Sequence, residues 1–250
     1  MMVAMRIAIA GGTGTVGHRT VTAAQEAGHE TVVLSRSHGV DLATGKGLAA
    51  ALRGADAVID VTSIATLNGA RAVEFFTATA KHLLAAAESA GVGHVVVLSI
   101  VGIDRVPHDY YAGKLAQEGV VTASASPWTI LRATQFHEFA AQMFDQAKAG
   151  PLHLAPVARV QPVAAQEVAE RLVALAAGSP QGRVTDLAGP QEERLSEMVR
   201  AFARATGHRG WIPALRVPTR QMRGMRAGDV LPRPDADRGR QTFSEWIAQL

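Results

Sequence analysis

Two tyrosines occur in the 250 residues, and they stand together as Tyr110 and Tyr111, with Lys114 close behind. Tyr110-x-x-x-Lys114 is the spacing that sets both side chains on one helix face, about one turn apart. An ammonium beside a phenol favours the phenolate and lowers a pKa that is otherwise about 10. Such a tyrosine exchanges a proton with a carbonyl oxygen during hydride transfer. Ser99 closes the apolar run His94–Ile100 and is placed to hydrogen-bond the substrate oxygen. Catalytic roles are therefore expected of Tyr110, Lys114 and Ser99. Tyr111 is a rival proton donor, because spacing does not say which phenol faces the pocket.

A second set of residues bears on the source of the hydride. Gly11-Gly12-Thr13-Gly14-Thr15-Val16-Gly17 follows the apolar run Arg6–Ala10 and opens a helix-like segment. Gly12, Gly14 and Gly17 read as GxGxxG; Gly11, Gly14 and Gly17 read as GxxGxxG. Glycines permit a sharp turn, close approach of a pyrophosphate and tight helix–strand packing. A helix N-terminus offers unpaired N–H groups and partial positive charge to a phosphate. Strand, glycine turn and helix in that order predict a dinucleotide site, and Lys114 would then also hold the nicotinamide ribose.

The choice of dinucleotide rests on the end of the next strand-like run, Thr31–Leu34. It is followed by Ser35-Arg36-Ser37-His38, with no acid to grip a ribose 2′-hydroxyl. A guanidinium pairs bidentately with a 2′-phosphate, and hydroxyls add neutral hydrogen bonds. Ser35, Arg36 and Ser37 therefore predict NADP, as NADPH, over NAD. Asp41 is either an acceptor for the adenine amino group or an ordinary loop acid. Val61, Thr62 and Ser63, at and after the end of the strand-like run that begins at Ala57, complete the expected cofactor contacts in this half.

Composition bounds the rest. Apolar residues make up 48% and charged residues 19%, which is globular composition. No cysteine is present, so disulfides, a thiolate nucleophile and Cys-ligated zinc are excluded. The nine histidines show no metal-ligand spacing, and no metal is expected. No charge-free apolar stretch reaches the roughly 18 residues of a membrane span. The chain enters its first strand without a basic-then-apolar leader, so a cytoplasmic location is expected. From Arg209 to Arg240 eight arginines face three aspartates. Trp211 is the one aromatic residue among them, too few to serve as stacking platforms, which argues for a solvated surface or the rim of an anionic cofactor over nucleic acid.

Strand-like and helix-like segments alternate along the chain. Strands are expected near Arg6–Ala10, Thr31–Leu34, Ala57–Val61, His94–Ile100, Trp128–Arg132 and Arg183–Leu187. Helices are expected near 14–27, 47–52, 70–90, 111–123, 136–149, 167–177 and 196–206. His94–Ile100 is almost wholly apolar, as in a strand covered on both faces. The alternation predicts an α/β fold, a Rossmann-like doubly wound parallel sheet. One domain over residues 1–250 is expected, with about 207–250 as a small irregular substrate-side lobe. His108 and Asp109 read as solvated loop residues that could also tune proton exchange by the tyrosines, and His137 and Glu138 as capping or surface residues that could also face the substrate. Trp211, Met222 and Met225 read equally as core or as pocket lining.

Across nearly its whole length the chain resembles the short-chain dehydrogenase/reductase superfamily, in its atypical NmrA-like NAD(P)H-binding branch. The resemblance rests on GGTGTVG at Gly11–Gly17, LSRS at Leu34–Ser37, VVVLSIVGID at Val95–Asp104, YYAGKLAQE at Tyr110–Glu118 and PWTILRATQFHEF at Pro127–Phe139. It implies a seven-stranded parallel sheet, and nicotinamide contacts from Ala133, Thr134 or Phe136. It also implies a Ser-Tyr-Lys set without the Asn of the full tetrad, since Asn68 is the sole asparagine. The activity it implies is NADPH-dependent reduction of a small-molecule carbonyl, quinone or imine-type substrate. A noncatalytic NADP-sensing regulator that binds a protein partner, and a nucleotide-sugar epimerase-like enzyme, are the alternatives. A small-molecule substrate is the expected partner, with neither nucleic acid nor membrane; a homodimer is compatible with the sequence.

Overall fold

Burial on both faces makes the apolar runs into parallel strands. In the computed structural model, which describes residues 4–250, these are β1 (Arg6–Ala10), β2 (Glu30–Leu34), β3 (Ala57–Asp60), β4 (His94–Ile100) and β5 (Trp128–Ala133). Met1, Met2 and Val3, at the start of the expected 1–250 span, lie outside the described residues. Every residue of β3 is buried, as are six of the seven in β4. The links are α1 (Thr15–Glu26), α2 (Leu48–Ala51), α3 (Gly69–Ala90) and α4 (Tyr110–Thr122).

The strands lie in the order β2-β1-β3-β4-β5. β1 pairs in parallel with β2 on one side and β3 on the other, and β3 pairs in parallel with β4. The order reverses between β1 and β3, and right-handed crossovers then place α1 on the face opposite α3 and α4. Ligands of such sheets bind beyond the strand C-termini at this reversal. Leu34, Leu48, Leu52, Leu83, Val95 and Ile130 form the centre of one buried cluster. Each such side chain contributes about 1.5–3 kcal/mol by leaving water.

α3 and α4 lie close together because α4 carries Gly113 at the crossing. A Cβ there would stand 2.7 Å from the Ala72 carbonyl carbon and from Phe76 Cδ2. Asn68 begins α3 by accepting the Arg71 N–H on its side-chain oxygen at 3.0 Å.

The chain divides into two compact units. The first comprises the described residues through Ser99, with Asp109–Arg132 and Gln166–Val184; the second comprises Ile100–His108, Ala133–Ala165 and Thr185–Leu250. After β5 come α5 (Phe139–Gln146), the antiparallel pair β6 (Lys148–Ala149) and β7 (Leu152–His153), β8 (Ala155–Pro156) and β9 (Arg159–Val160). Next are α6 (Ala165–Ala176), β10 (Gly182–Arg183), β11 (Leu187–Ala188), β12 (Glu193–Arg194) and α7 (Leu195–Ala205). The last elements are β13 (Ala214–Leu215), α8 (Arg220–Ala227), β14 (Asp237–Arg238) and α9 (Phe243–Ile247). In the first unit β10 runs parallel to β5. In the second, Leu187 of β11 pairs with Ala133, β11 runs parallel to β14, and β12 pairs with β9.

The Rossmann-like α/β fold is as the sequence predicts, with three local differences. The helix expected over 136–149 is confined to Phe139–Gln146, because Gly150 at φ +61° turns the chain into the β6–β7 hairpin. The strand expected over Arg183–Leu187 is two short strands, β10 and β11. The stretch 207–234, expected to be irregular, holds α8, whose N-cap Thr219 accepts the Met222 N–H at 3.2 Å.

Candidate functional site

The first unit assembles its candidate site at the C-terminal ends of β1 to β4. β1 delivers a buried chain to Gly11, which adopts φ +79°. A Cβ on Gly11 would stand 2.9 Å from the Val61 carbonyl oxygen, and one on Gly17 only 2.0 Å from the Gly11 carbonyl oxygen. The turn, the start of α1 and the segment after β3 are therefore in backbone contact, which only glycine allows. α1 opens on Gly14 with no side-chain cap, and Thr13, Gly14 and Thr15 are exposed. Its first N–H groups carry the helix's partial positive charge outward, as a phosphate requires.

At the end of β2, residues Arg36–His38 form a single 3-10 turn. Ser35 Oγ lies 2.9 Å from Ser37 Oγ and 2.7 Å from His38 Nδ1. Arg36 is exposed, and the turn carries no acid. Asp41 is engaged in its own loop: its carboxylate accepts the Ala43 N–H at 3.0 Å, and its N–H donates to the Lys46 carbonyl at 2.9 Å.

The segment after β3 joins the glycine turn to α4. Asp60 ends β3 fully buried, and one carboxylate oxygen accepts from Thr62 N at 2.9 Å and Thr62 Oγ1 at 2.7 Å. The other accepts from Gln117 Nε2 at 2.8 Å. Gln117 turns its carbonyl to Lys114, whose Nζ donates to it and to the Leu98 carbonyl oxygen at 2.6 Å. Lys114 is 3% exposed. Burial pushes its pKa down to about 8, against the opposing pull of the Asp60 and Glu118 carboxylates. An ammonium has three donors, and two are engaged here. Ser63, exposed at the end of the same segment, lies 2.9 Å from Tyr110 Oη.

Tyr110 and Lys114 share a neighbour, the Phe76 ring. Tyr110 meets it edge to face at 5.4 Å between centroids, and Lys114 Nζ lies 4.8 Å above it. The expectation that Lys114 lowers the tyrosine pKa is corrected by this geometry. Burial raises the Tyr110 pKa, Asp60 adds to the rise, and only the Ser63 hydrogen bond opposes it. The lysine is turned to Gln117 and Leu98 instead. Tyr111 is 4% exposed, with its ring 6.5 Å from that of Tyr110; Tyr110 is the more open phenol.

Ser99 is not brought to Tyr110. It is buried, and its hydroxyl has no hydrogen-bond partner among the described residues; the Glu118 carboxylate on α4 receives two hydrogen bonds from Arg132 at 2.8 Å and one from Arg183 at 2.5 Å. Burial pushes the Glu118 pKa up, but the hydrogen bonds from Arg132 and the charges of Arg132 and Arg183 outweigh it and hold the carboxyl low. Asp60, Gln117 and Glu118 were missing from the sequence expectation. Their signals are present: Asp60 is the acid that closes an apolar strand, and Gln117 and Glu118 follow Lys114 at three and four residues, on its own helix face.

The candidates at the other end of the chain lie in the second unit. Ala133 is buried, and Thr134 is buried with its hydroxyl donating to the Gln161 carbonyl at 2.6 Å. Phe136, half-buried, bridges to Val163. His137 is fully buried beside Phe243 and Trp246 and donates from Nε2 to the Gln241 carbonyl at 3.2 Å; burial pushes its pKa down to about 4. Met225 is buried, whereas Trp211 is 77% exposed.

The family profile described as NAD(P)H-binding matches residues 38–178, more than half of the chain. The chain belongs to this NAD(P)H-binding family. The match begins beyond Gly17 and Arg36, so the glycine turn and the basic turn after β2 speak for a dinucleotide independently of it. Solved structures similar to this NAD(P)H-binding chain include an NADPH-dependent quinone oxidoreductase from Escherichia coli complexed with NADPH. That similarity has a TM-score of 0.72 and 17% identity over 97% of this chain and 99% of the other. A UDP-N-acetylglucosamine 4-epimerase from Bacillus cereus matches with a TM-score of 0.69 and 18% identity, over 98% of this chain and 96% of the other. A Thermus thermophilus UDP-glucose 4-epimerase in complex with NAD matches with a TM-score of 0.67 and 20% identity, over 98% and 93%. At these identities the likeness is one of fold. A comparison with curated protein sequences finds no significant match. Among the described residues no helix is long and apolar enough to cross a membrane.

Proposed function

We propose that the chain is an NADPH-dependent oxidoreductase of the NmrA-like kind that reduces a small-molecule carbonyl, quinone or imine-type substrate. One observation carries the reading: the four residues Asp60–Ser63 touch the glycine turn and both functional side chains of α4. Val61 and Thr62 pack against Gly11, Asp60 reaches Lys114 through Gln117, and Ser63 bonds Tyr110. A dinucleotide seated on the glycine turn is thereby on the same framework as a proton donor and an ammonium.

The residues present fit that cofactor. Gly11, Gly17 and the uncapped start of α1 would hold the pyrophosphate, and Arg36 with Ser35 and Ser37 would hold the 2′-phosphate. The remaining N–H of Lys114 would take a ribose hydroxyl. When bound, a reduced nicotinamide supplies a hydride. Tyr110, protonated at neutral pH because burial raises its pKa, donates its proton to the substrate oxygen or nitrogen. The Ser63 hydroxyl, exposed beside it, returns a proton to the phenolate from solvent.

A second reading, a noncatalytic NADP sensor, draws on the position of Ser99. The residue whose hydroxyl is expected to orient a substrate is only 2% exposed. Titration of the purified protein with NADPH and NADH separates these readings when followed by NADPH-oxidation assays. Preferred NADPH binding with turnover is the expected result; tight binding without turnover of any substrate favours the sensor, and no dinucleotide binding overturns both.

A further inference from the structure

Seven residues of the second unit line a cavity of about 320 Å3, and most of its charge is positive. Arg105 and His108 come from the loop 100–108, Arg220 and Arg223 from α8, and Asp229 from the turn after α8. Three guanidinium groups thus converge on a space that holds one carboxylate.

The arrangement is built. Gly224 lets α8 lie against the loop, since a Cβ there would stand 2.6 Å from Val106 Cγ2. Arg105 is fixed by two backbone acceptors, donating from Nε to the Asp229 carbonyl at 2.6 Å and from Nη2 to the Leu231 carbonyl at 2.8 Å. Arg223 Nη1 donates to the Pro218 carbonyl at 3.0 Å. Carbonyl partners orient these guanidinium groups and leave their charge uncompensated. Arg220 stands one turn from Arg223 on the same helix face, where like charges repel. Its guanidinium meets no acceptor among the described residues. Convergent guanidinium forks are the arrangement that binds a planar or tetrahedral oxyanion bidentately.

We propose that this cavity binds the oxyanion group, carboxylate or phosphate, of a small molecule. Its volume is that of a small-ligand site, and no Phe, Tyr or Trp ring lines it as a platform for a nucleic-acid base. The proposal is independent of the reductase reading, because all of its residues belong to the second unit.

Calorimetric titration at low salt with inorganic phosphate and with malonate tests it, using the wild type and the variants Arg220→Gln, Arg220→Ala/Arg223→Ala and Asp229→Asn. The wild type is expected to bind at least one probe, and the tighter one names the class, phosphate or carboxylate. The double variant should bind that probe at least about tenfold more weakly, and Arg220→Gln about threefold more weakly, as charge-assisted contacts are lost. Asp229→Asn should bind it more tightly, because the single opposing carboxylate is gone. Failure of the wild type to bind either probe overturns the proposal. So does wild-type affinity in Arg220→Gln, whose replaced side chain has no partner to lose, or an Asp229→Asn affinity that does not rise.

Discussion

Around α4 each buried charge has a partner, whereas around α8 guanidinium groups outnumber carboxylates. Glu118 satisfies Arg132 and Arg183, and Asp60 is bound to Lys114 through Gln117. Arg105 and Arg223 are held by backbone carbonyls, Arg220 meets no acceptor among the described residues, and Asp229 is the one carboxylate lining their cavity. The difference follows from solvent. A buried charge without a partner costs several kcal/mol, so the α4 region is wired before any ligand arrives. An exposed guanidinium costs little when unpaired, so α8 is free to keep charge for something that is not protein.

The largest expected effect breaks the α4 wiring. Glu118→Leu leaves Arg132 buried without its carboxylate and should lower stability by ~3–5 kcal/mol, read from the denaturant midpoint. Next comes Arg36→Ala, which should weaken NADPH by about tenfold and NADH hardly at all, since only NADPH offers a phosphate to the guanidinium. Smaller is the pH effect on Lys114, whose pKa burial lowers to about 8. The ammonium is present below that value and lost above it, so NADPH affinity should decline as pH rises through about 8, checked by titration from pH 6.5 to 9.5. Smallest is Arg220→Ala, which should leave the denaturant midpoint within about 0.5 kcal/mol of wild type, because no protein contact is lost. A large destabilisation there would erase the contrast between the two regions.

Much of this molecule is legible in its residues, and what is not has a physical reason. Strands buried on both faces, such as His94–Ile100, announce themselves as unbroken apolar runs. The glycine turn is legible because its conformation admits few other residues. Contacts between distant parts of the chain are not. Ser63 meets Tyr110 across 47 residues and Gln117 meets Asp60 across 57, so the true partner of the phenol and the anchor of Lys114 emerge only from the fold. The same holds for Ser99, whose place at the strand end was clear but whose depth of burial was not. α8 escaped notice because its residues RQMRGMRA hold only two methionines and an alanine as an apolar signal. The arginine cavity needed Arg105 and Arg220 together, and the sequence shows those only as composition.

The central claim is that Asp60–Ser63 place a dinucleotide on the same framework as an active phenol and ammonium. NADPH oxidation by the wild type and by Tyr110→Phe, over a panel of quinones, ketones, aldehydes and imines, tests it most directly. The account predicts turnover of at least one panel member and a loss of about 10²-fold or more in Tyr110→Phe, the scale of general acid catalysis, with NADPH affinity retained. Turnover by Tyr110→Phe at the wild-type rate, or NADPH binding with no turnover of any panel member, would contradict it.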